Sequence, residues 1–173
     1  SDETLGTLQH ADLESHRRIA AEFAYWSDID IFLGAEHVRS TGHGFCGLSR
    51  RKLLDILQER CRELGVQMRF EHEVADLAEL EGADLILAAD GVNSRVREQR
   101  AATFEPSLDF RRCRFCWLGT DQRLGAFTFI FKDSPFGLFQ VHAYPFDDRT
   151  STFIVECREE VWRRAGLDRS DEP

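Results

Sequence analysis

The chain has 173 residues, 42% of them hydrophobic and 31% charged, and carries a formal net charge of −9. These proportions suit one or two globular domains, and the acidic balance argues against a nucleic-acid backbone or an anionic membrane as partner, because both need a basic patch. No apolar run approaches the roughly 20 residues of a bilayer span, and the polar opening SDETLGTLQH does not read as a secretory signal.

Leu5, Leu8 and Ala11, and then Ile19, Ala20 and Phe23, recur at helical spacing. Residues 1–24 therefore read as two helical segments, with Asp12 placed to cap the second. WSDIDIFLGAEHVRSTGHG reads as a hairpin: Ile29, Ile31 and Leu33 alternate, Gly34-Ala35 supply the turn, and Val38 begins the return. Gly42, Gly44 and Gly47 allow flexibility or the close approach of a backbone or ligand. Ser49 caps a predicted helix over 50–64, with a stripe of Leu53, Leu57, Cys61 and Leu64, Leu54 and Ile56 at its edges, and Gly65 as the stop. VQMRFEHEV is a predicted strand. The apolar run 83–89 is a second, one that could be buried from end to end, followed by the turn at Asp90-Gly91 and a short helix around 94–100.

From about residue 104 the texture changes. RRCRFCWLGT, AFTFIFKD, GLFQVHAYPFD and TSTFIVEC are four strand-like runs separated by short turns, the pattern of an antiparallel sheet. Residues 158–167 read as a helix with Val161, Trp162 and Ala165 on one side. The expected fold class is α/β in the broad sense (α+β), with a boundary near residue 103.

The apolar run followed by DGVNSRVR resembles the Asp-Gly fingerprint of the single-component, class A flavin-dependent aromatic monooxygenases. The resemblance extends to GHGFCGLSRRKLLDILQERC, RRCRFCWLGT and FDDRTSTFIVECREEVWRRAGLD, and so covers most of the chain. It is nearest to the branch that acts on aromatic acyl-CoA thioesters; tryptophan and indole hydroxylases are more distant. The resemblance implies an incomplete FAD-binding, Rossmann-like domain over 1–103 and an antiparallel-sheet substrate domain over 104–173. It also implies FAD as cofactor, NAD(P)H as reductant, and a small aromatic substrate such as a CoA thioester. The strand–GxGxxG–helix unit with which the family opens, and which seats the FAD pyrophosphate, is not found in the opening residues, which read as helices. The resemblance thus describes the interior of a longer enzyme, expected to be inactive as this segment alone.

Candidate site residues follow, each beside a plainer reading. Asp90 and Gly91 are candidate cofactor contacts by the resemblance; otherwise they form a strand–turn–helix junction capped by Asn93 or Ser94. Arg50, a cation at a helix start where the dipole disfavours it, matches a family position facing the flavin nucleotide; otherwise it is a solvated arginine in an RRK run. Phe127, Phe129 and Phe131 share one face by the period of two, as do Gln140, His142 and Tyr144, and DSPFG pairs the two sets. The resemblance, matched at that turn, places Phe131, His142 and Tyr144 where the family contacts substrate, and with Phe129 they are candidate substrate contacts, rings packing on phenylalanine and polar tips addressing a substituent; otherwise they are core.

No metal site is expected. Cys113 and Cys116 form a CxxC without a second metal-spaced pair, and i and i+3 in a strand face opposite ways. His37, His43 and His72 read as ordinary surface or loop residues. Five scattered cysteines fit a reduced, cytoplasmic protein. No side chain is expected to act as a nucleophile, since in such enzymes the cofactor carries the difficult chemistry. Two other classes stay open: a non-catalytic binding module with a flavoprotein-like sheet, and a flavin-dependent oxidoreductase that does not hydroxylate.

Overall fold

The computed structural model of the chain describes residues 2–169. They divide into two compact units: residues up to Val66 together with those from Arg112 onward make the first, and Gln67–Arg111 the second.

In the first unit the helical reading of the opening segment holds, as α1 (Asp2–Ala11) and α2 (Leu13–Ala21). Asp12 caps α2, accepting hydrogen bonds from the Ser15 amide at 3.2 Å and the Ser15 hydroxyl at 2.5 Å. The same carboxylate receives Arg60 Nε at 2.9 Å and a guanidinium NH₂ at 3.0 Å. Arg60 belongs to α3 (Arg50–Glu63), and Arg18 of α2 returns an ion pair to Glu63 at 2.8 Å. One residue thus begins a helix and docks it on another. Ser49 caps α3 by accepting from the Lys52 amide at 3.2 Å. The stripe of α3 turns slightly from the expected line: Ile56, read as an edge residue, is its buried member, while Leu64 is exposed.

Strands β1 (Ala24–Trp26), β2 (Ile29–Leu33), β3 (Glu36–Ser40) and β4 (Phe45–Gly47) precede α3. The two-residue turn sets the β2–β3 register, Leu33 opposite Glu36 and Asp30 opposite Arg39. β1 and β4 form a separate antiparallel pair with Trp26 opposite Phe45. The four later runs form β5 (Cys113–Thr120), β6 (Phe127–Ser134), β7 (Gly137–Pro145) and β8 (Ser151–Arg158), and α6 (Glu159–Arg164) follows and packs on β8 and β5.

These strands and the early hairpin make one six-stranded sheet of order β3-β2-β6-β7-β8-β5. It is antiparallel except that β2 runs parallel to β6, Ile31 beside Phe129. The registers put Val38, Ile31, Phe129, His142, Ile154 and Trp117 in one row across all six strands, on a single face. That face is half-open: its phenylalanines on β6 are half-buried, and Phe115 and Trp117 are exposed. The opposite face carries the buried Asp30, Thr128, Val141, Ala143 and Cys157.

The second unit departs from expectation. The predicted strand over 66–74 and the run 83–89 form no ladder, and the run read as buried is exposed, Leu85 by 74% and Leu87 by 83%. An apolar run is buried as a strand only where neighbours supply hydrogen bonds and cover, and no other described segment does so here. What is ordered around it is a 3₁₀ turn (Leu77–Leu80) closed by an Asp76/Glu79 capping box, and the short helices α4 (Arg95–Gln99) and α5 (Ala101–Phe104). The fold is therefore mixed α/β, with one largely antiparallel sheet.

Candidate functional site

The half-open sheet face gathers aromatic side chains. Phe129 stands opposite His142, their rings 5.1 Å apart and edge to face. Phe131 stands opposite Gln140, whose side-chain nitrogen contacts His142 Nε2. Phe127 lies 4.6 Å from Phe129 and 5.1 Å from Tyr144. Sequence alternation alone predicts this: residues two apart share a face, and a short turn aligns the two strands.

Alternation did not predict the second half of the cluster. Trp26 of β1 stacks on Tyr144 at 5.9 Å and on Phe45 of β4 at 5.9 Å, and Phe45 meets Phe127 edge to face at 5.7 Å. His43 stacks on Phe45 at 5.8 Å. The approach of β4 to β7 depends on Gly47, where a Cβ would lie 2.8 Å from the Pro145 carbonyl oxygen and 3.1 Å from the Trp26 ring. A glycine there fits the close-approach reading of the Gly42–Gly47 stretch. His142, Tyr144 and Phe129 are thus brought together with Phe127, Phe45 and Trp26, three residues outside the sequence-derived set. Phe127 was legible from its period; Trp26 and Phe45 sit on three-residue strands too short to show one.

On the opposite face Asp30 is buried and accepts from Arg39 Nε at 2.7 Å, from an Arg39 NH₂ at 2.5 Å, and contacts His37 Nε2 at 2.7 Å. The Arg39 hydrogen bonds, assisted by His37 and opposed by desolvation, hold the Asp30 carboxyl down at about 2. His37 also stacks on Phe32 at 4.4 Å. This is a satisfied ion pair that fastens the hairpin.

In the second unit Asp90 and Gly91 form the turn before α4. Asp90 accepts from Ser94 Oγ at 2.7 Å and from the Arg95 amide at 2.9 Å, and Ser94 Oγ accepts from the Arg97 amide at 3.0 Å. These contacts, the Ser94 bond foremost, depress the Asp90 carboxyl below its ordinary value. Of the two caps considered from sequence, Ser94 is the one used. Gly91 has φ +79° and open space where a Cβ would sit, and Arg97 donates to the Gly91 carbonyl at 3.3 Å. The turn borders a cavity of about 650 Å³ lined also by Leu87, Val96, Arg97 and Phe104. Arg50 opens α3 in the first unit with its side chain exposed. Cys113 and Cys116 differ in exposure, and no group of three metal-ligating side chains occurs among the described residues. No helix among them is long and apolar enough to cross a membrane.

No family model matches the chain. It is 42% identical over 171 residues to a salicyloyl-CoA 5-hydroxylase of a Streptomyces species, covering 99% of this chain and 33% of that protein. It is 38% identical over 130 residues to protodeoxyviolaceinate monooxygenase of Chromobacterium violaceum, 74% of this chain and 35% of the relative. Over 110 residues, 64% of this chain and 30% of the relative, it is 42% identical to 3-hydroxy-4-methyl-anthranilyl-[aryl-carrier protein] 5-monooxygenase of Streptosporangium sibiricum. The chain spans about one third of the length of the curated relatives it matches. Over these stretches it is homologous to part of each of these hydroxylases and monooxygenases.

Proposed function

We propose that the protein containing these residues is a flavin-dependent monooxygenase that hydroxylates an aromatic acceptor, with an aromatic acyl thioester as the substrate class. The carrying observation is the half-open aromatic face with polar tips at His142 and Tyr144. The relatives add that one acts on salicyloyl-CoA and another on a carrier-bound anthranilyl group. In this reading an acceptor ring packs against Phe129 and Phe131, and His142 or Tyr144 orients its polar group. Residues 1–103 contribute mainly to a cofactor domain and 104–173 to a substrate domain, with β2 and β3 of the first part completing the substrate sheet.

FAD, with NAD(P)H as reductant, is the proposed cofactor; when bound it supplies the oxygen-activating chemistry that no side chain here provides. The residues present fit one part of it. Gly91 leaves room for close backbone approach and Arg50 offers an exposed cation. Asp90 already spends both oxygens on the α4 cap, though each keeps lone-pair capacity for a ribose hydroxyl. Five free cysteines fit a cytoplasmic setting.

The test uses the full-length natural protein with salicyloyl-CoA and NAD(P)H. Oxygen incorporation that depends on the thioester is expected. His142→Ala should weaken thioester binding about tenfold, as loss of a hydrogen bond with a partner left unpaired would, and should raise NAD(P)H oxidation relative to product, because a misplaced ring misses the oxygenating centre. Unchanged affinity and coupling in both His142→Ala and Tyr144→Phe would remove this face from the acceptor site.

A further inference from the structure

Among the described residues, Trp26 Nε1 stands out as a buried side-chain polar atom with no hydrogen-bond partner. A buried indole N–H normally finds an acceptor, and leaving one unmet is destabilising. The position of the ring explains its fixity. Trp26 stacks on Phe45 and Tyr144, with interplanar angles of 21° and 19°. The benzo end of the indole, at Cη2 and Cζ3, abuts Gly47. Nε1 lies on the other ring of the indole, away from that contact.

The rings stacked on Trp26 present hydrocarbon faces. One indole N–H supplies a single partner, and a buried water is held by two to four. A ligand that is itself an aromatic ring with a single attached oxygen meets both requirements: the ring packs among the aromatics and the oxygen takes the N–H. One uncharged donor suits a neutral carbonyl; a carboxylate calls for a cation or a second donor. A cavity of about 470 Å³, bordered by Trp26 and Phe45 with Leu5, Tyr25, Ser27 and Cys46, leaves space beside the stack.

We propose that Trp26 is a specificity-determining residue whose indole N–H donates to the carbonyl oxygen of a bound aromatic acyl group, an incoming ring replacing the contacts that now cover Nε1. This rests on the acceptor-site reading above and adds to it the recognition of the acyl carbonyl.

The experiment measures binding to the full-length protein by calorimetry, for salicyloyl-CoA and for the thioether analogue in which CH₂ replaces the thioester carbonyl. Wild type should prefer the carbonyl compound about fivefold, the scale of one neutral hydrogen bond. Trp26→Phe keeps a stacking ring and deletes the N–H. It should bind salicyloyl-CoA about fivefold more weakly, bind both probes alike, and melt no lower than wild type, since an unmet donor has been removed. Equal affinity of wild type for the two probes overturns the proposal without any variant. So does a Trp26→Phe protein that loses affinity for both probes equally, which would make the ring and not the N–H responsible. If Trp26→Phe binds as wild type while His142→Ala binds weakly, the carbonyl role fails and the acceptor site stands. If Trp26→Phe, His142→Ala and Tyr144→Phe all keep wild-type affinity and coupling, both fail together.

Discussion

Asp30 and Asp90 show how one residue type divides between fastening and presenting. Asp30 is buried with Arg39 and His37, and its carboxyl is held at about 2 by the Arg39 hydrogen bonds. Because its folded value lies below the ordinary ~3.9, the stability it contributes is present above about pH 4 and is lost as pH falls toward 2. Asp30→Asn should therefore lower the melting temperature at pH 7, by a few degrees for a loss of about 1–2 kcal/mol, since the half-exposed Arg39 blunts the full effect. The gap to wild type should narrow in melts at pH 3. A gap of equal size at both values would show that the carboxylate charge is not what is lost. The pairing itself was within reach of the sequence: a two-residue turn at Gly34-Ala35 sets Asp30 opposite Arg39. Asp90 makes similar local bonds but lies exposed at the rim of a cavity. In the full-length protein Asp90→Ala is expected to reduce flavin retention, read as the flavin-to-protein absorbance ratio after desalting. Unchanged flavin content would leave Asp90 as the cap of α4 and nothing more.

At the scale of elements, pairing separates the strands that form from those that do not. β6, β7 and β8 each have neighbours on both sides. Residues 83–89 carry an equally apolar run and have none, so their amides lack ladder partners. Hydrogen exchange on the 173-residue chain should show strong protection across Phe127–Ser134 and Gly137–Pro145 and nearly none across 83–89. Protection of 83–89 comparable to β7 would mean that this run pairs in solution. The β1–β4 pair depends on a different term, the absence of a side chain at Gly47. Gly47→Ala places a Cβ 2.8 Å from the Pro145 carbonyl oxygen, a clash with backbone that only a shift of β4 relieves. Such overpacking costs typically 1–3 kcal/mol. It should lower thermal stability and weaken the near-ultraviolet dichroism of the Trp26–Phe45–Tyr144 stack; a native spectrum and melt would show that β4 yields freely.

For the whole molecule, the GxGxxG spacing of GHGFCG at 42–47 runs into β4 and does not turn from a strand directly into a helix, and the candidate cofactor residues amount to Arg50, Asp90 and Gly91. The purified 173-residue chain should accordingly be colourless; stoichiometric flavin after desalting would refute this. Much else was determined by the sequence itself. The helix caps at Asp12 and Ser49, the hairpin register around Gly34-Ala35, the four later strands and the shared face of Phe129, Phe131, His142 and Tyr144 all follow from local chemistry and a period of two. Local rules suffice there because each partner lies within a turn or an adjacent strand. Three features needed the tertiary structure. β2 joins β6 in parallel across nearly a hundred residues, which no local pattern encodes. Trp26 and Phe45 reach the aromatic face through strands of three residues, too short for a period to register. The run at 83–89 has the composition of a buried strand and stays exposed, because burial is a property of what lies alongside a segment and not of the segment alone.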